Sequence, residues 1–261
     1  PGPYWISRAF ENGCYLIEGN RWGLERTVQF SGGSCVINPD GSIASVIDKG
    51  DGLAYADIDI SWSRKRQVLN EKIFDDRRPE MYLNLPTNPY LWNPLDFFGL
   101  YGMNPLPKGK ESLVSIVQMN TTNNLKQNLK EILKHLEIAK NNLSELVVFP
   151  ELALTGHKNK NKFAISKDSS EILQLANYAN KNNLYICCGF AEKEKKEFYN
   201  SSILFGPEGI LGIYRKIHLN NEDKKWASEG NEWKYYDTKI GRIGLLIGYD
   251  AIFPESARCL G

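Results

Sequence analysis

The stretch LVVFPE, residues 146–151, decides the fold class of this chain. Its first four residues are all apolar and lack the alternation of a strand that has one face in water. Such an unbroken run is typical of a strand that is buried on both faces of a sheet. A proline and a carboxylate follow directly, so the stretch predicts a central strand that ends in polar residues.

Helical patterns flank this strand in the sequence. Between residues 125 and 143, apolar side chains recur every three or four positions, which predicts one apolar face of a long helix. Residues 169–180 repeat this pattern, and a second buried strand is predicted at 184–188. A hairpin around the turn GPEG at 206–209 and a last buried strand at 243–247 follow. Strands that alternate with helices and then continue as hairpins predict an α/β fold with a mixed sheet.

The first hundred residues are richer in strand patterns. A turn signal, NPDG at residues 38–41, predicts a hairpin, and all periodicity is lost between residues 83 and 109. A structureless stretch of this length is unusual within a compact domain and predicts a boundary. The predicted elements before it are a helix at 4–12 and strands at 14–20, 34–37, 42–47 and 53–60.

Composition narrows the class of protein. The chain has 261 residues, of which 42% are hydrophobic, and 32 basic against 31 acidic side chains leave a net charge of +1. This balance creates no field that attracts nucleic acid or anionic lipid, and no apolar run approaches the roughly 18 residues of a membrane span. The five cysteines are an odd number without CxxC spacing, which is typical of reduced thiols. We therefore expect a soluble cytoplasmic protein.

Three of the predicted strands end in polar residues, namely Glu151, Lys216 and the segment GYD at 248–250. Ligand sites of α/β folds lie at such strand ends, so a carboxylate, an ammonium group and a tight glycine turn can meet in one pocket. Spacing alone leaves another interpretation open, because a glutamate after a strand is more often a helix cap or a surface carboxylate.

Three segments resemble, in this order, the signatures of the nitrilase superfamily of carbon–nitrogen hydrolases. They are FPELALTG at 149–156, YRKIHL at 214–219 and YDAIFPE at 249–255. The resemblance extends from about residue 112 to the end, whereas segments such as RAFEN at 8–12 and RRPE at 77–80 resemble the carboxy-terminal half of the same family. The resemblance thus implies a nitrilase-like α-β-β-α sandwich in which a carboxy half is followed by an amino half.

This inverted order predicts residues 1–83 as the carboxy-terminal half of a first nitrilase-like domain, 84–111 as a linker and 112–261 as the amino-terminal half of a second. A circular permutant of one domain is the alternative. A permutant should contain every strand of the fold, whereas the connection after the 249–255 segment is missing. The start at a proline and the short final helix also predict that both ends were cut from a longer frame, which favours tandem domains.

The resemblance assigns roles to individual residues. It implies Glu151 as general base, Lys216 as the cation that stabilises charge on the substrate, and Glu222 as a supporting carboxylate. The family has a nucleophilic cysteine directly before the Tyr-Asp pair, but this chain has Gly248 there. Glycine cannot form a thioester, and we expect none of the five cysteines to replace the missing thiol.

Two functions remain open at this stage. The first is that the complete protein is a carbon–nitrogen hydrolase of the amidase or nitrilase type that acts on a small amide, nitrile or carbamoyl compound. Catalysis would then come from the upstream domain, because this chain lacks the nucleophilic thiol and is expected to be inactive by itself. The second is an inactive binding or scaffold domain, and a third interpretation is a changed codon at 248, since glycine and cysteine codons differ by one base.

Thiol acyl transfer needs no metal or organic cofactor, so none is expected. The resemblance also implies a pseudo-dimer or homo-oligomer that pairs through sandwich faces, with neither nucleic acid nor membrane as partner.

Overall fold

A computed structural model describes residues 2–65, 67–68, 70–83, 85, 109–158 and 160–260. The chain divides into two compact units, Pro1–Arg77 and Arg78–Gly261. The predicted linker at 84–111 lies outside the described residues, apart from residue 85 and residues 109–111. Within the described ranges, no helix combines the length and hydrophobicity needed to cross a membrane.

Among its described residues, the first unit has one α-helix and five short strands. The elements are α1 (Pro3–Asn12), β1 (Leu16–Glu18), β2 (Trp22–Glu25), β3 (Val28–Ser31), β4 (Ser34–Ile37) and β5 (Ile43–Ile47). Three of the strands form an antiparallel sheet in the order β1-β4-β5, and the other two form the hairpin β2-β3. A small core of Ala9, Cys35 and Ile37 joins the helix to the sheet.

The helix at 4–12 and the strands at 14–20, 34–37 and 42–47 are thereby confirmed, with shorter bounds for two of the strands. The predicted strand at 53–60 is wrong. Leu53 and Tyr55 are exposed, and this segment pairs with no strand among the described residues. It ends at Asp59, whose carboxylate accepts a hydrogen bond from the Ser61 backbone N–H (2.9 Å) and caps a short 3₁₀ turn.

The second unit is built on a five-stranded sheet. Its strands are β6 (Val114–Ile116), β7 (Leu146–Val148), β8 (Tyr185–Glu194), β9 (Glu197–Gly206) and β10 (Gly209–Arg215), and a separate hairpin follows with β11 (Tyr235–Thr238) and β12 (Gly241–Gly244). The order of strands across the sheet is β10-β9-β8-β7-β6. The helices of this unit are α2 (Leu125–Asn141), α3 (Lys160–Phe163), α4 (Ser170–Asn182) and α5 (Pro254–Leu260).

Strands β8 and β9 are buried on both faces over most of their length, as the unbroken apolar run at 184–188 predicts, whereas Ile116 on the edge strand β6 is 85% exposed. On one face, α2 and α4 pack against the strands through side chains that include Ile132, Leu136 and Leu175. On the other, Tyr214 and Ile247 belong to a second apolar cluster. The predicted last strand at 243–247 is wrong in its bounds, because the ladder of β12 ends at residue 244 and the residues after it are buried without strand pairing.

The direction of the strands places the site. β7 runs parallel to β8, β9 runs antiparallel to β8, and β10 runs antiparallel to β9. Two reversals restore the direction, so β10 runs the same way as β7. The carboxyl ends of both strands therefore lie at one edge of the sheet.

Candidate active site

Glu151 and Lys216 meet at this edge of the sheet. Glu151 lies three residues beyond the end of β7, and Lys216 directly follows β10. The Lys216 ammonium donates to Glu151 Oε1 over 2.9 Å and to Asp223 Oδ2 over 2.6 Å. The two residues that the sequence singles out thus share one hydrogen-bonded cluster, although 65 positions separate them in the chain.

The charge of Lys216 is stabilised by this cluster. Its side chain is only 1% exposed, and a lone buried ammonium group is costly. Burial acts to lower the pKa of Lys216, but the carboxylates of Glu151 and Asp223 outweigh burial and raise that pKa above its ordinary value. The side chain therefore stays protonated at neutral pH and can present a positive charge to a ligand.

Asn200 connects the two carboxylates. Its amide group, fully buried on β9, donates to Glu151 Oε1 (2.6 Å) and to Asp223 Oδ1 (3.2 Å). Because both carboxylates accept from the same amide and the same ammonium, their positions are fixed relative to each other. Glu151 is 29% exposed, compared with 1% for Lys216 and 4% for Asp223, so the cluster opens to solvent at the Glu151 carboxylate.

Gly248 lies against Glu151. It opens the short turn Gly248–Ile252, with a φ of +45° that favours glycine. A Cβ atom at this position would lie 2.5 Å from Glu151 Oε2, closer than van der Waals contact allows. The position that the family resemblance gives to a cysteine is therefore next to the candidate base, and it has no side chain.

The structure does not bring Glu222 to the cluster. The Glu222 side chain is 70% exposed and forms an ion pair with Lys225 on the surface. The neighbouring Asp223 points inward instead: its side chain is 4% exposed and pairs with Lys216, and its backbone N–H donates to Asn220 Oδ1 (2.8 Å) at the start of a 3₁₀ turn. The Trp226 indole N–H also donates to Asp223 Oδ1 (3.3 Å), which identifies the aspartate as the carboxylate paired with this tryptophan.

A second group of buried polar residues lies behind the site. Asp250 is fully buried and accepts hydrogen bonds from the Tyr214 hydroxyl (2.7 Å), the Ile247 backbone N–H (3.2 Å) and the His218 backbone N–H (2.8 Å). Asp250 Oδ1 also lies 2.9 Å from His218 Nδ1. Since His218 follows Lys216 by two residues and Asp250 follows Gly248 by two, this group ties the two turns of the site together.

Burial disfavours the thiolate form of the three cysteines of the second unit. Cys187 and Cys188 are buried in β8, and burial raises the pKa of both thiols, which disfavours the reactive thiolate. Burial also raises the pKa of the Cys259 thiol on α5. Within the described residues, no three His, Cys, Asp or Glu side chains are grouped so that they could hold a metal ion.

Comparison with known proteins gives a family match over most of the chain. The model of the carbon-nitrogen hydrolase family matches residues 5–66 and 113–261. The chain is 35% identical over 124 residues to a nitrilase of Pyrococcus abyssi, which covers 45% of this chain and 47% of that protein. It is 34% identical over 120 residues to an (R)-stereoselective amidase of a Pseudomonas species, covering 45% of this chain and 44% of that protein.

Solved structures give the same result for the fold. A CN-hydrolase superfamily protein of Xanthomonas campestris superposes with a TM-score of 0.51 at 26% identity, over 56% of each chain. The nitrilase-like α/β fold predicted from the sequence is thereby confirmed. The chain spans about half the length of the curated relatives that it matches.

Proposed function

Because the chain belongs to the carbon–nitrogen hydrolase family, we propose that the protein acts on the non-peptide C–N bond of a small amide or nitrile. The observation that carries this proposal is the Lys216 ammonium held between Glu151 and Asp223 beside the Gly248 turn. A nitrilase and an amidase among the relatives support both substrate classes.

Each residue of the cluster has a role in the proposed reaction. Negative charge develops on the carbonyl oxygen of an amide, or on the nitrogen of a nitrile, when its carbon is attacked. A preorganised cation such as Lys216 stabilises this charge most strongly where water is excluded. Glu151 takes the proton of the attacking group, and Asp223 and Asn200 hold the lysine and the glutamate in place.

Gly248 removes the covalent step from this scheme. With no thiol beside Glu151, the attacking group is a water molecule. Glu151 takes one proton from that water, the water oxygen bonds to the amide carbon, the C–N bond breaks, and the proton passes to the departing amine. Sites that lose their nucleophile retain only a remnant of their catalysis, so we expect slow turnover.

A binding or scaffold role is the second candidate. The φ of +45° at Gly248 and the 2.5 Å approach of a Cβ to Glu151 Oε2 favour it, because a cysteine would fit there only if Glu151 moved. In that case the pocket holds an amide or a similar polar ligand without cleaving it.

The substitution Gly248→Cys separates the two candidates. Mass spectrometry after mixing with a small amide or nitrile should detect an acyl adduct on the Gly248→Cys variant and not on the unmodified chain, with a burst of released amine or ammonia. Gly248→Ala is the matched control, since it adds the same Cβ without a thiol. If Gly248→Cys folds as well as Gly248→Ala and is not acylated, and the unmodified chain releases no more amine or ammonia than its Glu151→Gln variant, the hydrolase proposal is wrong and the binding role replaces it.

The arrangement of domains and the assembly stay predictions. We propose that the two halves belong to tandem nitrilase-like domains, and that sandwich faces pair within one chain or between chains. Light scattering tests the pairing, because a monomer with two separate lobes would contradict it. The complete reading frame tests the tandem arrangement, which requires a second set of the three signatures.

A further inference from the structure

The second unit has a positively charged pocket on its surface. It has a volume of about 460 Å³, and its lining includes Lys160, Lys162, Lys225, Glu222 and Trp226. Three ammonium groups against one carboxylate leave this lining with a net charge of +2. A pocket of this size suits a small molecule rather than a macromolecule.

The pocket shares a residue network with the candidate site. Trp226 forms part of its wall, and the indole N–H of Trp226 donates to Asp223 Oδ1 (3.3 Å). The other oxygen of Asp223 accepts from the Lys216 ammonium (2.6 Å). The pocket wall therefore lies only two hydrogen bonds from the cation that we assign to the reacting end of the substrate.

The positive charge in this pocket is available to a ligand. Lys225 is paired with Glu222, but among the described residues neither Lys160 nor Lys162 has a carboxylate within ion-pair distance. Lys160 Nζ lies 5.4 Å from the centroid of the Trp226 ring, so a cation–π contact holds it at the pocket wall. Two ammonium groups near an aromatic wall favour an anion that carries a short carbon chain.

We propose that this pocket binds the anionic group, a carboxylate or a phosphate-like oxyanion, of a substrate whose amide or nitrile end lies at Glu151 and Lys216. This inference rests on the proposed function and adds the class of substrate to it. Lys160 and Lys162 determine specificity here, because they contact the part of the ligand that does not react. The Trp226 ring contacts the carbon chain between the two ends.

Calorimetry on the unmodified chain with matched probes tests the inference. Succinamic acid carries one amide and one carboxylate, whereas succinamide carries two neutral amides of the same length. We expect succinamate to bind more tightly than succinamide, and only succinamate to lose affinity as the salt concentration rises. Phosphonoacetamide replaces the carboxylate by a phosphonate and shows which of the two anions the pocket prefers.

Substitutions in the pocket lining test whether Lys160 and Lys162 cause the preference for succinamate over succinamide. Lys160→Gln and Lys162→Gln should each weaken succinamate binding by about five-fold, as expected for one exposed ion pair, and leave succinamide binding unchanged. Glu222→Gln should strengthen succinamate binding, because it removes a negative charge from the lining. Lys130→Gln, on an exposed position of α2 outside this pocket, is the matched control and should change neither affinity.

Two results would contradict the proposed anion-binding role of the pocket and leave the proposed function unaffected. One is equal binding of succinamate and succinamide, and the other is an equal loss of both in the lysine variants. Absence of binding by every amide, together with no acylation of the Gly248→Cys variant, would instead contradict the proposed function itself. The salt dependence is measured on the unmodified chain, so the test stands even if a variant fails to fold.

Discussion

Asp250 Oδ1 accepts hydrogen bonds from two groups of His218, the backbone N–H and the ring nitrogen Nδ1. The other ring nitrogen, Nε2, lies 2.6 Å from the Tyr82 hydroxyl oxygen. The Tyr82 oxygen in turn accepts from the Arg78 backbone N–H (3.2 Å). Every polar atom of this buried histidine side chain therefore has a partner, and the turn that carries Lys216 is fixed to the turn that carries Gly248.

Breaking this pair should unfold the second unit more easily. Asp250→Ala leaves His218, Tyr214 and the Ile247 N–H without their buried acceptor, so we expect a loss of about 3 kcal/mol in the free energy of unfolding. Chemical denaturation followed by circular dichroism measures it. Glu131→Ala, which breaks an exposed pair with Lys134, is the control and should cost less than about 1 kcal/mol. Equal losses in the two variants would contradict this account of Asp250.

Stability should fall at high pH because of Lys216. Its pKa is higher in the folded chain than in the unfolded one, so its stabilising effect is complete below about pH 10.4, the ordinary pKa of lysine, and is lost as the pH rises through the folded-state value. We expect the denaturation midpoint to drop in that range. Lys216→Arg keeps the charge at these pH values and should remove this part of the pH dependence. An identical pH profile for both proteins would contradict the pairing of Lys216 with Glu151 and Asp223.

Asp223, rather than Glu222, should be the carboxylate that supports Lys216. Asp223→Asn replaces a charged acceptor of the buried ammonium, so we expect a loss of about 1.5–3 kcal/mol in the free energy of unfolding and weaker binding of small amides. Glu222→Gln should leave the stability unchanged, because the Glu222 side chain is exposed. The reverse order of effects would return the role to Glu222, as the sequence spacing predicts.

Gly248→Ala should destabilise the chain for two separable reasons. A side chain at a φ of +45° costs about 1–2 kcal/mol, and the added Cβ also displaces Glu151. Gly209→Ala is a control for backbone strain alone, because its φ of +105° lies farther from the allowed left-handed region than +45° and no atom lies within 4 Å of its added Cβ. Thermal unfolding should show the larger loss for Gly248→Ala. If the two losses are equal, the displacement of Glu151 by the added Cβ does not contribute to the loss of stability.

The sequence predicts those parts of the structure that depend on regular patterns. The apolar face between residues 125 and 143 predicts α2 closely, since burial against the sheet requires that periodicity. The hairpin β2-β3 has no such signal, because Leu24 and Val28 are exposed and only backbone pairing defines it. The segment 53–60 has strand-like alternation but no neighbouring strand among the described residues, and no local pattern reveals whether a partner exists.

The candidate site, like the fold, is predictable from the sequence only in part. Glu151 and Lys216 follow strands of known direction, so their meeting at one edge is predictable from the order of the elements. The choice between Glu222 and Asp223 cannot be predicted in this way, because it depends on the direction in which each side chain leaves the turn. Successive side chains of a 3₁₀ turn point about 120° apart, so an assignment that is wrong by one residue selects the exposed Glu222 instead of the buried Asp223.

The strand direction has a consequence for dividing the chain. Because β10 runs toward the site edge, the turn of residues 207–208 that precedes it lies at the far edge of the sheet. A chain opened at Pro207 and Glu208 would give one fragment that carries Glu151 and Asn200 and another that carries Lys216 and Asp223. Neither fragment contains a complete cluster, so recovery of ligand binding upon mixing would report the reassembly of β9 with β10. Residues 207–208 are therefore a suitable position at which to divide the chain into two fragments whose reassembly is detected by ligand binding.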